Sequence, residues 1–213
     1  MKNAVMNKKM NIRTQNKKES NLKLINSAIK SISERGISET TMSNVSQGAG
    51  LSQGIVNFHF KSKELLLIET LKFISNEYLE AFEKKLRKAG DSPASKIVAI
   101  IENDFDKNIC NQEKIAVWYT FFSEVKFKPV YLQICKERDE YYNRTVINII
   151  NKLIKFEKNS LLSANRISTS LFALTMGLWL DQLVDAENFS RNEAKKICIN
   201  HIKNYFPNQF KNY

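Results

Sequence analysis

Side chains suited to hydrogen bonding with nucleic-acid bases lie in the segment ETTMSNVSQGAGLSQGIVNFHFKSKELL, residues 39–66. Gln53 and Asn57 carry amide groups in this segment. An amide can pair with the N6 and N7 atoms of adenine, which is worth about 1–3 kcal/mol of discrimination between bases. The two residues are therefore candidates for reading a base sequence.

Other polar residues of this segment are candidates for holding a nucleic-acid backbone. The hydroxyl of Thr41, the imidazole of His59 and the ammonium group of Lys63 can each donate a hydrogen bond to a phosphate oxygen, which sets register without reading sequence. His59 would also gain charge at lower pH. A half-buried packing role is the alternative for His59.

Two short helices and a tight glycine turn are predicted to position these side chains. Thr41 suits the N-cap of a helix that ends near Gly48, and Gly50 suits the left-handed residue that follows a helix end. Ser52 can cap a second helix, from Gln53 to about residue 58. The residues that open this second helix are Ser52, Gln53, Ile55, Val56 and Asn57.

A longer amphipathic helix is predicted ahead of them, from about residue 17 to Arg35, and Gly36 ends it. Its apolar residues, spaced by three and four, are Leu22, Ile25, Ala28, Ile29 and Ile32. Helices as short as the two that follow are not stable alone, so the long helix must supply their apolar support. Three helices arranged in this way present the last one to the major groove of DNA, which admits an α-helix.

The same segment resembles the signature of the TetR family of bacterial one-component regulators. The matching positions are Thr41, Val45, the run AGLS at 49–52, Gly54, Ile55, His59, Phe60 and the run KELL at 63–66. The resemblance implies an all-α fold, with an N-terminal three-helix helix-turn-helix DNA-binding domain and a C-terminal helical ligand-binding and dimerisation domain. It also implies a DNA-binding transcriptional repressor as the function. By analogy with the family, the residues that open the second short helix and contact DNA are Ser52, Gln53, Ile55, Val56 and Asn57.

Charge is distributed unevenly along the chain and fits this division. The 213 residues carry a formal net charge of +11, and residues 1–64 hold 11 Lys and Arg against 4 Asp and Glu. A basic segment on a nearly balanced body is typical of a polyanion-binding domain. The predicted division is a flexible basic arm at 1–16, a helix-turn-helix domain at 17–64 and a body at 65–213. The basic residues that could reach DNA, or could instead lie in a solvated tail, are Lys8, Lys9, Arg13, Lys17 and Lys18.

Helical periodicity continues through the body, and the whole chain has only 6 Gly and 3 Pro. The predicted helices cover about 62–89, 93–109, 112–127, 129–158, 164–186 and 190–206. Trp118 and Phe122 share one helix face, and Trp179 lies on a second aromatic-rich helix. These three could be plain core, or they could line a ligand cavity and bind an onium group through cation–π contacts.

A closer resemblance, to the choline-sensing BetI-like branch of the same family, is carried by AVWYTFF, KPVYLQI and GLWLDQL. It implies choline or a related quaternary ammonium compound as the small-molecule effector, and control of glycine betaine synthesis as the role. Glu124 and Asp181 could supply a carboxylate for the cation, or both could face solvent. The alternatives are a regulator with a non-onium ligand and a DNA-binding protein without an effector.

Apolar rows in the last two predicted helices indicate, in this family layout, a homodimer. Their residues are Leu171, Leu174, Leu178, Ile197, His201 and Tyr205. A dimer would hold two recognition helices about one DNA turn apart, roughly 34–36 Å. It therefore predicts a near-palindromic double-stranded operator.

Other classes of protein find little support in the residues. Cys110, Cys135 and Cys198 are widely spaced, which fits packing thiols in a reducing cytoplasm rather than disulfides or a zinc site. No apolar run approaches the roughly 20 residues that span a bilayer, and the N-terminus has no secretory apolar region. Because the sequence has no metal cluster, nucleophile motif or phosphate loop, we expect a cytoplasmic regulator with no cofactor and no enzymatic activity.

Overall fold

The computed structural model describes residues 2–157 and 161–213, with side chains from residue 13 onward. These residues form nine α-helices and no strand, which confirms the predicted all-α fold. The helices are α1 (Lys2–Glu39), α2 (Met42–Gly48), α3 (Gln53–His59), α4 (Lys63–Lys88), α5 (Pro93–Asp104), α6 (Gln112–Glu124), α7 (Pro129–Glu157), α8 (Ala164–Val184) and α9 (Arg191–Lys203).

The first helix is longer than the sequence predicts. α1 starts at Lys2 and runs through the stretch expected to be a flexible arm, because that stretch has neither Gly nor Pro to stop a helix. Gly36, with φ of 77°, breaks the helical geometry. The predicted stop at Arg35 is therefore a kink before one last turn. The side chains of Lys8 and Lys9, proposed above as DNA contacts, lie outside the described residues.

Helices α1, α2 and α3 form a small N-terminal unit, called the head below. Val45 and Val56 are fully buried in its apolar core. Thr41 caps α2 as predicted: its hydroxyl accepts the Asn44 N–H at 3.1 Å, and the Asn44 amide oxygen accepts the Thr41 N–H at 2.9 Å. Gly50 has φ of 65°, a left-handed conformation that glycine adopts without strain and that gives the tight turn before α3.

Helices α4 to α9 form the body, in which α4 and α7 are the longest elements. α4 packs on α5 and α7, α7 packs on α8, and α8 packs on α6 and α9. α6 also packs along α1, so one body helix lies directly against the head. This packing places the aromatic residues of α6 between the interior of the body and the DNA-binding unit.

Among the described residues, one helix has the length and apolar character that could cross a membrane. This is α8, with a mean hydropathy of 1.3 in its most apolar window, although the sequence analysis found no such run. α8 packs on α6, α7 and α9, and Trp179 and Leu171 are buried along it. Only 33% of that window is buried, so α8 packs one side into the bundle and leaves apolar residues on another side uncovered.

Candidate DNA-reading face and effector cavity

The helix α3 presents two amide side chains on one exposed face. Gln53 and Asn57 are both exposed, and Gln53 Nε2 donates to Asn57 Oδ1 at 3.4 Å. Gln53 Oε1 accepts a hydrogen bond from Ser46 Oγ of α2 at 3.2 Å. These bonds hold the amides side by side, and contacts to base edges could replace them without leaving a buried group unpaired.

The other three residues predicted to open α3 toward DNA lie in different environments. Val56 is fully buried, so the prediction that it contacts DNA is wrong: the docking of α3 on its neighbours turns this side chain into the core of the head, where it supports the helix. Ile55 is half-buried and packs against the core. Ser52 is exposed at the N-cap of α3, where its side chain makes no capping hydrogen bond.

Thr41 keeps the chemistry expected of a phosphate contact. It is exposed, and its hydroxyl oxygen accepts the capping bond from Asn44, so its own proton remains to be donated. A hydroxyl at the start of α2 can therefore serve the helix and a phosphate at the same time.

The side chains of His59 and Lys63 each form a hydrogen bond with a residue of α1. His59 Nε2 lies 2.8 Å from Ser20 Oγ of α1, and partial burial, followed by the charge of Lys17, lowers the pKa of the imidazole. At neutral pH His59 is thus an uncharged, half-buried residue, which corresponds to the packing alternative. Lys63 Nζ donates to the carbonyl oxygen of Ser38 at 2.8 Å, across the end of α1.

Phe58, which the sequence analysis did not select, is an exposed aromatic residue beside the reading face. Its side chain is 62 % exposed, and Lys17 Nζ lies 5.3 Å from its ring centre. Phe58 could have been selected from the sequence because it directly follows Asn57 in the predicted recognition helix. A large apolar side chain that is exposed there is available to contact DNA.

The aromatic residues of the body gather around one buried cation. Trp118 and Phe122 stack with ring centres 5.7 Å apart, as their shared helix face predicts. The guanidinium carbon of Arg138, on α7, lies 4.0 Å from the Trp118 ring centre, 5.5 Å from that of Phe122 and 5.8 Å from that of Tyr78. We call this group of three rings and one guanidinium the aromatic cluster; the sequence analysis missed its cation.

A small cavity lies beside the aromatic cluster, where α4, α7 and α8 meet. Its volume is about 20 Å³, which is room for about one water molecule. Its lining residues are Tyr78, Arg138, Asp139, Tyr142, Phe172, Met176 and Trp179. Of the three residues predicted to bind a ligand, only Trp179 is among them, because the Arg138 side chain covers the faces of Trp118 and Phe122.

A buried carboxyl group lies next to this cavity, at the end of α5. Asp104 is 1 % exposed; Tyr78 Oη donates to its Oδ1 at 2.6 Å and Tyr142 Oη donates to its Oδ2 at 3.4 Å. Burial raises the pKa of Asp104 to about 7, although both tyrosine hydrogen bonds and the charge of Arg138 act against the increase. Trp179 Nε1 donates to the Asp104 carbonyl oxygen at 2.9 Å, which fixes the indole beside the carboxyl group.

The carboxylates near the cavity are not the ones that the sequence indicated. Asp181 is exposed and Glu124 is half-exposed near the end of α6, so the solvent alternative holds for Asp181. Asp104 and Asp139 supply the negative charge instead. In the part of the chain whose side chains are described, no group of three His, Cys, Asp or Glu residues could hold a metal ion.

The fold and the exposed amides of α3 define a helix-turn-helix DNA-binding regulator with a small aromatic-lined cavity in its body. Residues 24–70 match the family described as bacterial regulatory proteins, tetR family, and residues 93–207 match the BetI-type transcriptional repressor, C-terminal. The chain therefore belongs to the TetR family of transcriptional regulators and carries the C-terminal domain of a BetI-type repressor.

Relatives with similar sequences carry the same family name. The chain is 27% identical to the HTH-type transcriptional regulator BetI of Stenotrophomonas maltophilia over 179 residues, which cover 84% of this chain and 89% of the relative. It is 28% identical to BetI of Paraburkholderia phytofirmans over 180 residues, with the same two coverages.

Solved structures share the fold at lower identity. A transcriptional regulator from Pseudomonas aeruginosa PAO1 superposes with a TM-score of 0.77 at 17% identity, over 91% of this chain and 93% of that one. A transcriptional regulator from Saccharomonospora viridis, solved in complex with choline, gives a TM-score of 0.72 at 18% identity, over 87% and 96% of the two chains. At these identities the likeness concerns the fold.

Proposed function

We propose that this BetI-type repressor is a homodimer whose affinity for a near-palindromic operator is controlled by choline or a related quaternary ammonium compound. The observation that carries the proposal is the lining of the cavity between α4, α7 and α8, which combines aromatic side chains with the carboxyl group of Asp139. Asp104 lies behind it, bonded to the hydroxyls of Tyr78 and Tyr142, and the cavity would have to widen to admit choline. The regulated process indicated by the family branch is glycine betaine synthesis, and the protein would act in the cytoplasm, on the bacterial nucleoid.

The chemistry of the cavity suits a small organic cation. The ring faces of Tyr142, Phe172 and Trp179 carry negative π-charge that attracts an onium group, and the effect grows when water is excluded. Asp104, with a pKa of about 7, supplies a full negative charge when it is ionised. The Saccharomonospora viridis regulator holds choline in a fold of the same kind, which supports this class of effector.

In the head, the reading role falls to Gln53 and Asn57, because these amides are exposed on one face of α3. Thr41 and Ser52 are exposed at the starts of α2 and α3, where phosphate contacts with backbone N–H groups are common. Lys63 would have to leave the Ser38 carbonyl oxygen to reach a phosphate.

The dimer would form through α8 and α9, where apolar side chains remain uncovered in one chain. Val184 is 77 % exposed, and Leu180 and Ile197 are each 45 % exposed. Leu171, in the predicted interface row, is instead fully buried inside its own chain. A face with three exposed aliphatic residues is typical of a surface that another protein copy covers.

The effector site and the head would communicate through α6. This helix carries Trp118 and Phe122 on the side of the aromatic cluster and packs along α1 on the other. A second link joins the α6–α7 connection to the start of α4, where Lys128 Nζ lies 3.2 Å from Glu64 Oε2. A shift of α6 would therefore change the spacing of the two recognition helices in a dimer.

The proposal is tested by titrating the purified protein with choline and following its tryptophan fluorescence. Trp118 and Trp179 are the only two tryptophans, and both lie at the aromatic cluster or the cavity. We expect a saturable change with choline and none with 3,3-dimethylbutan-1-ol, its uncharged isostere. A flat response to choline would contradict the effector class and leave the family assignment intact.

Linkage gives a second test, on operator DNA selected from a random pool. If choline weakens operator binding by some factor, saturating operator must weaken choline binding by the same factor. An unchanged choline affinity in the presence of the operator would contradict effector control of DNA binding.

A further inference from the structure

Arg138 occupies the position that a bound cation would take in the aromatic cluster. Its side chain is 6 % exposed, and its guanidinium group lies over the faces of Trp118, Phe122 and Tyr78 at 4.0, 5.5 and 5.8 Å. Its Nε also donates to Asp139 Oδ1 at 2.8 Å. Rings from α4 and α6 thus surround a positive charge that the protein itself provides from α7.

The three rings form a set of aromatic faces around one buried cation. Burying an arginine is unfavourable unless the charge is paired, and an aliphatic side chain would fill the same space without that requirement. Here the pairing is provided by three aromatic faces and by a carboxylate that is itself 31 % exposed. The chain therefore contains a site built for a planar or compact cation, already filled.

We propose that Arg138 is an internal ligand of the aromatic cluster, and that a cationic effector binds by displacing its guanidinium group. This inference rests on the proposed function, in which the effector is an onium compound. While Arg138 stays in place, the faces of Trp118 and Phe122 are covered, and a second cation in the neighbouring cavity would be repelled by a like charge.

The path of displacement is short, because Arg138 and Asp139 both line the cavity and Asp139 reaches solvent. The guanidinium group can move outward together with the Asp139 carboxylate and keep the ion pair. The main result of this movement is an empty space over the rings of Trp118 and Phe122. Tyr78 and Tyr142, whose hydroxyls bond to Asp104, line the same cavity, so the carboxyl group lies one side chain away from the incoming cation.

Displacement would also release a contact between helices. Arg138 joins α7 to Trp118 and Phe122 of α6, and α6 lies along α1 of the head. An effector that replaces the guanidinium group would break this tether from α7 to α6. Replacing the guanidinium group by the effector would therefore free α6 to shift against α1 of the head.

The test compares choline affinity in three proteins by isothermal titration calorimetry. Arg138→Met keeps an unbranched side chain and removes the charge, and Arg144→Met is the matched control, an exposed arginine on the same helix. We expect choline to bind at least about tenfold more tightly to Arg138→Met than to the wild type, because a desolvated cation–π competitor has been removed. The Arg144→Met protein should bind as the wild type does.

The outcomes separate this inference from the proposed function. Binding to the wild type with equal or weaker binding to Arg138→Met would overturn the internal-ligand role and leave choline as the effector. Binding only to Arg138→Met would show that the guanidinium group blocks the site without being displaced, and would overturn both displacement and choline as the effector. Binding to neither protein would overturn both.

A measurement on the wild type avoids any folding defect of the variant. With arginine labelled by nitrogen-15 and carbon-13, the side-chain signals of Arg138 should be shifted upfield by the Trp118 ring current, and Arg138→Lys identifies them by their absence. Saturation with choline should move these signals to ordinary arginine positions. Signals that stay upfield in the choline-saturated protein would overturn displacement.

Discussion

The proposed reading face of the head exposes its polar groups to solvent, whereas the aromatic cluster of the body buries them. In the head, Gln53 and Asn57 are exposed above an apolar support to which the fully buried Val56 belongs. In the body, Arg138 and Asp104 are 6 % and 1 % exposed, so the charged groups are themselves part of the core. Function and stability should therefore be separable by mutation in the head and coupled in the body.

The largest effect on operator binding is expected when a negative charge is introduced into α3, either on its buried side or on its exposed side. Val56→Asp puts an unpaired charge into the core of the head, so operator binding should be lost and thermal stability should fall sharply. Asn57→Asp, one residue along, should also abolish operator binding, because it adds negative charge at the DNA surface. Its melting temperature should stay close to that of the wild type.

Operator binding by fluorescence anisotropy and unfolding by circular dichroism check the pair. A large loss of stability in Asn57→Asp, or a normal melting temperature in Val56→Asp, would remove the distinction between the reading face and its support.

The coupling of charge and stability in the body is tested at Asp104. Its pKa is about 7 when folded, above the usual 3.8, so the folded chain holds the proton more tightly than the unfolded chain does. The stability contributed by this group is therefore present at low pH and is lost as pH rises from about 4 to 7, by up to about 1.4 kcal/mol per pH unit. Asp104→Asn should remove that loss.

Urea unfolding of the wild type and of Asp104→Asn at several pH values between 5 and 8 makes this measurement. The advantage of the variant should grow with pH and level off above about pH 7. Asp91→Asn, at an exposed position, serves as the control and should show no such trend. A difference between Asp104→Asn and the wild type that is constant with pH would contradict the buried-acid interpretation.

A smaller and more selective effect is expected at the reading face. Gln53→Ala and Asn57→Ala should each weaken binding to the operator by about 1–3 kcal/mol, because a bidentate contact to a base is lost. Binding to random DNA should hardly change, and unfolding should be unaffected, because both side chains are exposed. Equal losses on operator and random DNA would refute the reading role.

The smallest effect is expected at Lys63. If its ammonium group leaves the Ser38 carbonyl oxygen for a phosphate, Lys63→Met should weaken binding to all sequences alike. The slope of log affinity against log salt concentration should then become less steep by about one. Lys61→Met is the matched control at a nearby exposed position. An unchanged slope with a lower melting temperature would show that Lys63 stabilises the end of α1 and does not contact a phosphate.

Local rules explain why the head could be predicted from the sequence in detail. Thr41 forms the predicted cap, and Gly36 and Gly50 have the positive φ values of 77° and 65° that mark helix ends. Caps and glycine turns depend on residues within a few positions of each other. The amide pair on α3 follows from the same short-range geometry, whereas the buried position of Val56 depends on how α3 docks on its neighbours.

The sequence by itself determined the fold class, the family and the pairing of Trp118 with Phe122, because each depends on periodicity or on a contiguous motif. Only the tertiary structure decided which charges meet these rings. Arg138 stands in the charged run KERDE, which is typical of a solvated helix face, and Asp104 stands at a helix end. Both are brought to the aromatic residues by the packing of separate helices, and contacts between residues so distant in the chain leave no local pattern.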